Sequence, residues 1–297
     1  MQLSRKTRLG IIIAMVFLVI AGTLIAVYPI FASEYAKRVR SEVKTYYDGA
    51  VDNSNAEQLA QYRREAEEWN GKLFSSKISP LEPDTNGYYD TLNLPNTEIM
   101  GFIRIPAIDV DLPIYHSIAD DVLTNGVGHM PQSSLPVGGL NTHSVLSAHS
   151  GMSNSPMFSN LELLKVGDIF YIDILGETLA YQVYEIPEPV LPADISSVQI
   201  QRGRDLCTLV TCTPYGINSH RLLVHGERIE LEAVQEEMKP ADTQEQEPTN
   251  DVWLRNYWSS LILGGVLCVV ILLGTVITIV VLRVRAKKGG SSDGNRK

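Results

Sequence analysis

The 297-residue sequence has three cysteines and neither a CxxC nor an HxxxH pair. Those missing pairs remove the usual ligand spacings of a zinc site. Cys207 and Cys212 stand five residues apart in CTLVTCTPYG, and Cys268 lies far away in an apolar run. The segment LCTLVTC has strand texture, so at ~3.3 Å per residue the two thiols sit roughly 16 Å apart. A disulfide needs Cα atoms within ~7 Å, and an odd offset along a strand points the side chains to opposite faces. Basic residues are also scarce, 25 Lys and Arg against 34 Asp and Glu. Nine of the 25 sit in the two terminal tails, which leaves 16 basic against 33 acidic residues between them. Nucleic acid as a partner is excluded on that ground, because phosphate binding needs a basic footprint. An acidic middle suits repulsion from an anionic surface, attraction of a cationic partner such as an amine, or plain solubility. There is no internal repeat.

Two stretches lack Asp, Glu, Lys and Arg altogether: Leu9 to Phe31 and Ser260 to Leu282. Each exceeds the ~20 residues that span a hydrocarbon core. The first is longer than the ~7–15 residue apolar region of a cleaved leader, and Pro29 stands where a cleavage site would lie. It therefore reads as an uncleaved anchor. Arg5, Lys6 and Arg8 precede the first run, and Arg283, Arg285, Lys287 and Lys288 follow the second. Both termini are then expected in the cytoplasm, with everything between them outside. Tyr28, Trp253, Tyr257 and Trp258 lie at the outer ends of the runs, where aromatic rings favour the headgroup layer.

Between the runs, residues 34–74 are rich in helix formers, interrupted by turn and cap residues at Asp52, Asn53 and Ser54. They are expected to form a helical stalk or hairpin. Residues 75–98 are rich in Pro, Asn, Asp and Gly, the mark of a long loop. From Met100 onward the texture changes to short β-rich segments: GFIRI, VDLPIY, HSVLSAH, DIFYIDI, TLAYQVYEI, LCTLVTC and HRLLVHGERI. Many short strands without βα alternation predict an all-β barrel or sandwich. Residues 118–124 and 157–165 read as short helices, and 187–205 as a long insertion before the cysteine strand. Past Leu231 an acidic, Pro- and Gln-rich tether follows.

An outward-facing domain with two unpaired cysteines suggests a thiol kept for use. Cys207, at the start of its strand, reads as a small buried apolar residue. Cys212, at the strand end before Thr213-Pro214-Tyr215-Gly216, is placed as a nucleophile would be, rigid yet open to substrate. A thiol needs a neighbouring cation to favour thiolate, and a group to protonate the departing amine. His143 and His149 flank SVLSA. His149, at its C-terminal end, mirrors Cys212, while His143 stays open as the alternative. His116, His129, His220 and His225 read as surface or packing residues. Arg221 opens the strand after the Tyr215–His220 turn; it is the nearby cation, unless it is tied up in an exposed ion pair.

These segments resemble the sortase family. TLVTCTPYG followed by INSHRLLVHGER is similar to the family's TLxTC strand and its following arginine strand. THSVLSAHSGM resembles the strand that bears the histidine. GFIRIPAIDVDLPIYHS, GVGHM and SSLPVGG resemble the segments that lead to it. The likeness runs from Met100 to Ile229. The TPYG-x-N-x-HRLLV form and the second apolar run resemble the pilin-polymerising class C members. The resemblance implies a closed, eight-stranded β-barrel, a thioester formed on Cys212 by attack between Thr and Gly of an LPxTG-like signal, and transfer to a pilin lysine. It implies His149 as general acid and base, Arg221 as stabiliser of the oxyanion and substrate, and Thr211 and Thr213 as substrate-binding neighbours, with no metal and no cofactor. Partners would be pilins or surface proteins with LPxTG-like C-terminal signals, together with the lipid bilayer. Transfer to a cell-wall peptide amine, or a non-catalytic membrane-held binding barrel, are the alternatives.

Class C members usually carry a lid with an Asp-Pro-aromatic plug. Here Glu82-Pro83-Asp84 keeps the acid and the proline and lacks the aromatic, for which Tyr88 or Tyr89 are candidates. The residue after the histidine, commonly Arg in that class, is Ser150 here. The expected division is a cytoplasmic N-terminus 1–8, membrane helix 9–31, helical stalk 32–75, loop and candidate lid 76–98, catalytic barrel 99–232, acidic tether 233–257, membrane helix 258–282 and basic cytoplasmic tail 283–297.

Overall fold

A computed structural model describes residues 5–75, 87–150, 155–194, 196–231 and a few positions between 257 and 265. Helix α1 (Arg5–Asp52) is continuous through the first apolar run into the polar segment after it. It stops at the turn formers, and α2 (Ala56–Ser75) begins after a gap of three residues. The new start is held by Asn55 and Gln58. The Asn55 side-chain oxygen accepts from the Gln58 N–H at 2.8 Å, and the Gln58 side chain accepts from the Asn55 N–H at 3.0 Å. This reciprocal cap satisfies amides that a helix start leaves without partners.

Eight strands follow: β1 (Ile99–Ile105), β2 (Val110–His116), β3 (Val127–His129), β4 (Thr142–Ser147), β5 (Ile169–Ile174), β6 (Glu177–Glu185), β7 (Asp205–Thr213) and β8 (His220–Ile229). They close into a barrel in the order β1-β2-β3-β4-β7-β8-β6-β5. The pairs β2/β3 and β4/β7 are parallel, and the rest are antiparallel. A short helix α3 (Asp120–Asn125) crosses from β2 to β3. The segment expected as a second short helix, 157–165, holds only a single 3-10 turn at Leu161–Leu163. Seven strands coincide with the β-rich segments of the sequence. β3 has three residues, too few to show a period, and its pairing with β2 and β4 closes the ring.

Alternation sends one side of each strand inward. Phe102, Phe170, Ile172, Tyr181, Cys207, Leu209 and Val224 meet in the core. A glycine in the middle of β8 makes room there. A Cβ at Gly226 would stand 2.5 Å from the Phe170 ring, which lies against Tyr181 with centroids 5.5 Å apart.

The expected stalk is a hairpin docked on the barrel. The Tyr47 hydroxyl donates to the Met100 carbonyl and accepts from the Leu175 N–H, both at 3.0 Å. Burial pushes its pKa up to about 12. On α2, buried Asn70 holds both backbone groups of Leu135, donating to the carbonyl at 3.1 Å and accepting the N–H at 2.7 Å. The chain divides into a unit of Met1–Phe31 with Leu254–Lys297 and a unit of Ala32–Trp253. Among the described residues, no helix is long and apolar enough to cross a membrane. The span expected at 9–31 falls in α1, where most side chains lie outside the described residues. The one at 258–282 lies almost wholly outside them.

Tyr88 fastens the chain to the barrel just before β1. Its hydroxyl accepts from the Ser117 N–H at 3.2 Å and reaches His129 Nδ1 at 2.8 Å. His129 Nε2 is 2.8 Å from the Ser134 carbonyl. A carbonyl only accepts, so Nε2 carries the hydrogen and Nδ1 receives the tyrosine's. Complete burial pulls the His129 pKa down to about 4. Tyr88→Phe is expected to cost about 1–3 kcal/mol in urea unfolding at pH 7, because it takes the partner from His129 Nδ1 and from the Ser117 N–H. The wild type is expected to lose stability as pH falls from about 6.5 towards 4, since the unfolded chain takes a proton that folded His129 refuses. An unfolding midpoint unchanged by the substitution would contradict the first expectation, and one unchanged by acid the second.

Candidate active site

β4 and β7 run parallel, so both end at the same rim of the barrel. Their last ladder pair is Ser147 with Val210. The contact continues past the assigned strand. The Ala148 N–H donates to the Val210 carbonyl at 3.2 Å, and the Thr211 hydroxyl donates to the Ala148 carbonyl at 2.9 Å. Two residues beyond the Ser147/Val210 pair come His149 and Cys212. On the other side of β7, antiparallel β8 pairs Cys212 directly with Arg221. Cys212 and Arg221 are thus a cross-strand pair, and continuing the ladder two residues past the end of β4 would bring His149 into the same row.

Strand parity puts this row on the sheet face away from the barrel interior. Cys207 and Leu209 point into the core, whereas Val210 belongs to a separate apolar cluster on the opposite face with Val145 and Leu223. Cys212, of the same parity as Val210, is half-buried; Cys207 is fully buried, and both are free thiols. Burial pushes the Cys207 thiol well up, and the nearby Asp205 charge adds to this. Cys207 is therefore a core thiol. Cys268 lies outside the described residues.

Arg221 is fixed by its backbone. Its N–H donates to the Val190 carbonyl at 2.8 Å, and its carbonyl accepts the Val190 N–H at 3.0 Å. Its Nη1 donates to the carbonyls of Asn218 and His220 at 3.2 and 3.1 Å. Among the described residues no carboxylate forms an ion pair with it, so the exposed ion pair is not formed there. The two-sided bridge to Val190 had no sequence signal, being one residue of an irregular segment.

The loop after His149 is outside the described residues at 151–154. Where it returns, the Phe158 N–H donates to the His149 carbonyl at 3.1 Å, and Arg40 on α1 donates to the Ser155 hydroxyl at 3.2 Å. Ser150 follows His149 and is half-buried.

Thr211 and Thr213 part company. Thr213 is half-buried at the strand end and pairs with His220. Thr211 is 3% exposed and faces inward with its hydroxyl occupied by Ala148. It holds the histidine strand in place and is not a surface for substrate. Tyr88, a candidate lid aromatic, is likewise buried, between α2 and β3. Tyr89 is half-exposed and packs on Tyr88 and His116. Glu82, Pro83 and Asp84 lie outside the described residues. His143 sits far from the thiol row, buried and bonded on both ring nitrogens.

The described strands set a half-buried thiol at Cys212 beside Arg221 at the rim to which the chain past β4 leads. The model of the Sortase domain matches residues 103–229. A Sortase A of Streptococcus agalactiae serotype III (strain NEM316) is 31% identical over 135 residues, which are 44% of this chain and 53% of that protein. The chain thus aligns with about half the length of that relative. A solved Streptococcus pneumoniae Sortase C is 43% identical, with 64% of this chain and 97% of that one covered and a TM-score of 0.59. A Clostridium perfringens sortase C, solved with the C-terminal cell wall sorting motif, is 41% identical, with 64% and 99% covered and a TM-score of 0.56.

A thiol reagent such as iodoacetamide is expected to modify native protein at Cys212 and leave Cys207 untouched until unfolding. Peptide mapping checks this, and equal modification of the two in native protein would contradict it.

Proposed function

The chain belongs to the sortase family of cysteine transpeptidases, and we propose that it polymerises pilins. In this reading Cys212 Sγ attacks the threonine carbonyl carbon of an LPxTG-like signal. The oxyanion of the tetrahedral intermediate takes hydrogen bonds from Arg221. His149 gives a proton to the departing glycine amine, and the Thr–Gly bond breaks to leave a thioester on Cys212. A lysine ε-amine of another pilin then enters, loses a proton to His149 and attacks the thioester carbonyl. The thiolate departs and an isopeptide bond remains. The observation that carries this reading is the pairing of Cys212 with Arg221 beside the parallel β4/β7 ladder, which ends two residues short of His149. Identities of about 40% to proteins named sortase C, one of them described with pilin substrate specificity, support pilins as substrates.

The same reading places the catalytic unit outside the cell membrane between spans at 9–31 and 258–282, with both termini cytoplasmic. It is supported by the charge-free runs and their basic flanks. Among the described side chains of α1, Ile13, Phe17, Ile20 and Leu24 are all more than half exposed, as a lipid-facing side would be. The family's sorting signal is itself membrane-held before cleavage, so two anchors would keep enzyme and signal at one height and raise their effective concentration.

Incubation of purified protein with an LPxTG peptide and a candidate pilin, followed by mass spectrometry, tests the reaction. The expected product joins the peptide's threonine carboxyl to a pilin lysine. Arg221→Ala is expected to lower its rate by about 10²–10³-fold, and His149→Ala by about 10²–10⁴-fold. Transfer only to a cell-wall peptide amine would overturn the pilin assignment, and no acyl transfer at all would overturn the enzyme.

A further inference from the structure

His143 on β4, Thr208 on β7 and His225 on β8 form a second row on the same sheet face, four residues along β7 from Cys212. All three are essentially buried. Four residues of strand are about 13 Å, too far for any of them to touch the reacting atoms. Their hydrogen bonds run in one direction. His143 Nδ1 lies 2.9 Å from the Gln199 carbonyl, which only accepts, so Nδ1 carries the hydrogen. Burial pulls the His143 pKa down to about 4, so the ring is neutral at pH 7 and Nε2 is an acceptor. The Thr208 hydroxyl, 2.6 Å from that Nε2, donates to it. Thr208 Oγ1 then accepts from His225 Nδ1 at 2.7 Å. Tyr184 stacks on the His225 ring at 5.9 Å, and Arg204 covers Tyr184 at 4.4 Å.

The row ends on Gln199, in the irregular segment 186–204 between β6 and β7. Three attachments fix the middle of that segment to this face of the sheet. Val190 is bridged to Arg221, Val190 and Val198 pack on Val145, Val210 and Leu223, and Gln199 is held by His143. The segment so fixed stands over the sheet face that carries Cys212, beside the arginine.

We propose that His143, Thr208 and His225 are positioning residues that set this segment as the wall against which the sorting signal binds. The proposal rests on the transpeptidase reading for its substrate. Loss of the row loosens the wall and weakens acyl-donor binding, while the thiol, imidazole and guanidinium stay in place. Thr208 is the joint, since a valine of equal shape deletes both links at once and a serine keeps them.

In full-length Thr208→Val, hydrogen–deuterium exchange of the amides in 196–202 is expected to rise about 10-fold, and KM for an LPxTG peptide about 10-fold. The value of kcat should stay within about 2-fold, as should iodoacetamide modification of Cys212, and Thr208→Ser should restore wild-type behaviour. Unchanged exchange in the wall, or a fall in kcat with KM unchanged, overturns the proposal. If the wild type turns over no LPxTG peptide, the transpeptidase reading fails, and the exchange result still decides whether the row holds the wall. If Thr208→Val does not fold, ¹⁵N NMR of wild-type imidazoles decides. A neutral His143 protonated at Nδ1 at pH 7 supports the row, and the opposite tautomer or a charged ring overturns it.

Discussion

Parallel pairing of β4 with β7 is the constraint on which the rest of the molecule depends. Parallel neighbours cannot be joined by a tight turn, so β5 and β6 are folded out between them and close the far side of the barrel. Both strands then end at one rim, which puts His149 and Cys212 level with each other. β8 turns back from β7 through a short loop, so its first residues, Arg221 among them, begin at that same rim. A slip of one residue in β7 would send Cys212 inward and Thr211 outward. Two bonds beyond the end of β4, from Ala148 to Val210 and from Thr211 to Ala148, resist that slip.

Much of this was legible beforehand. The seven longer strands are rich in β-branched and aromatic residues, DIFYIDI and TLAYQVYEI alternate, and the odd spacing of Cys207 and Cys212 already put them on opposite faces. Other features were not legible, for physical reasons. β3 is too short to carry a period. Thr211 stands next to the thiol in sequence but faces the core, because neighbours on a strand point to opposite sides. Tyr88 was a candidate plug, yet its hydroxyl satisfies a buried imidazole two strands away. The His143–Thr208–His225 row has no sequence signature at all, since its members come from three strands brought together only by the register.

The helical hairpin before the barrel contributes to the site at a distance. Arg40 holds the returning end of the loop that follows His149. Asn70 and Tyr88 converge on neighbouring residues: Asn70 holds Leu135, and His129 joins Tyr88 to Ser134. The end of α2 and the turn before β1 are thereby tied to one short piece of the barrel. The exposed ion pairs of α1 with β2 and the turn before it, Lys37–Asp109 and Lys44–Asp111, contribute little by comparison. Buried hydrogen bonds to backbone groups carry this docking, because breaking them strands polar atoms away from water.

The claim at the centre is that the register of β4, β7 and β8 makes Cys212 the acylated residue. Peptide mapping by mass spectrometry of protein quenched during reaction with an LPxTG peptide tests it most directly. The account predicts a thioester-linked acyl mass on Cys212, lost on hydroxylamine treatment, with Cys207 unmodified. An acyl mass on Cys207, or on a residue outside the row, would contradict it.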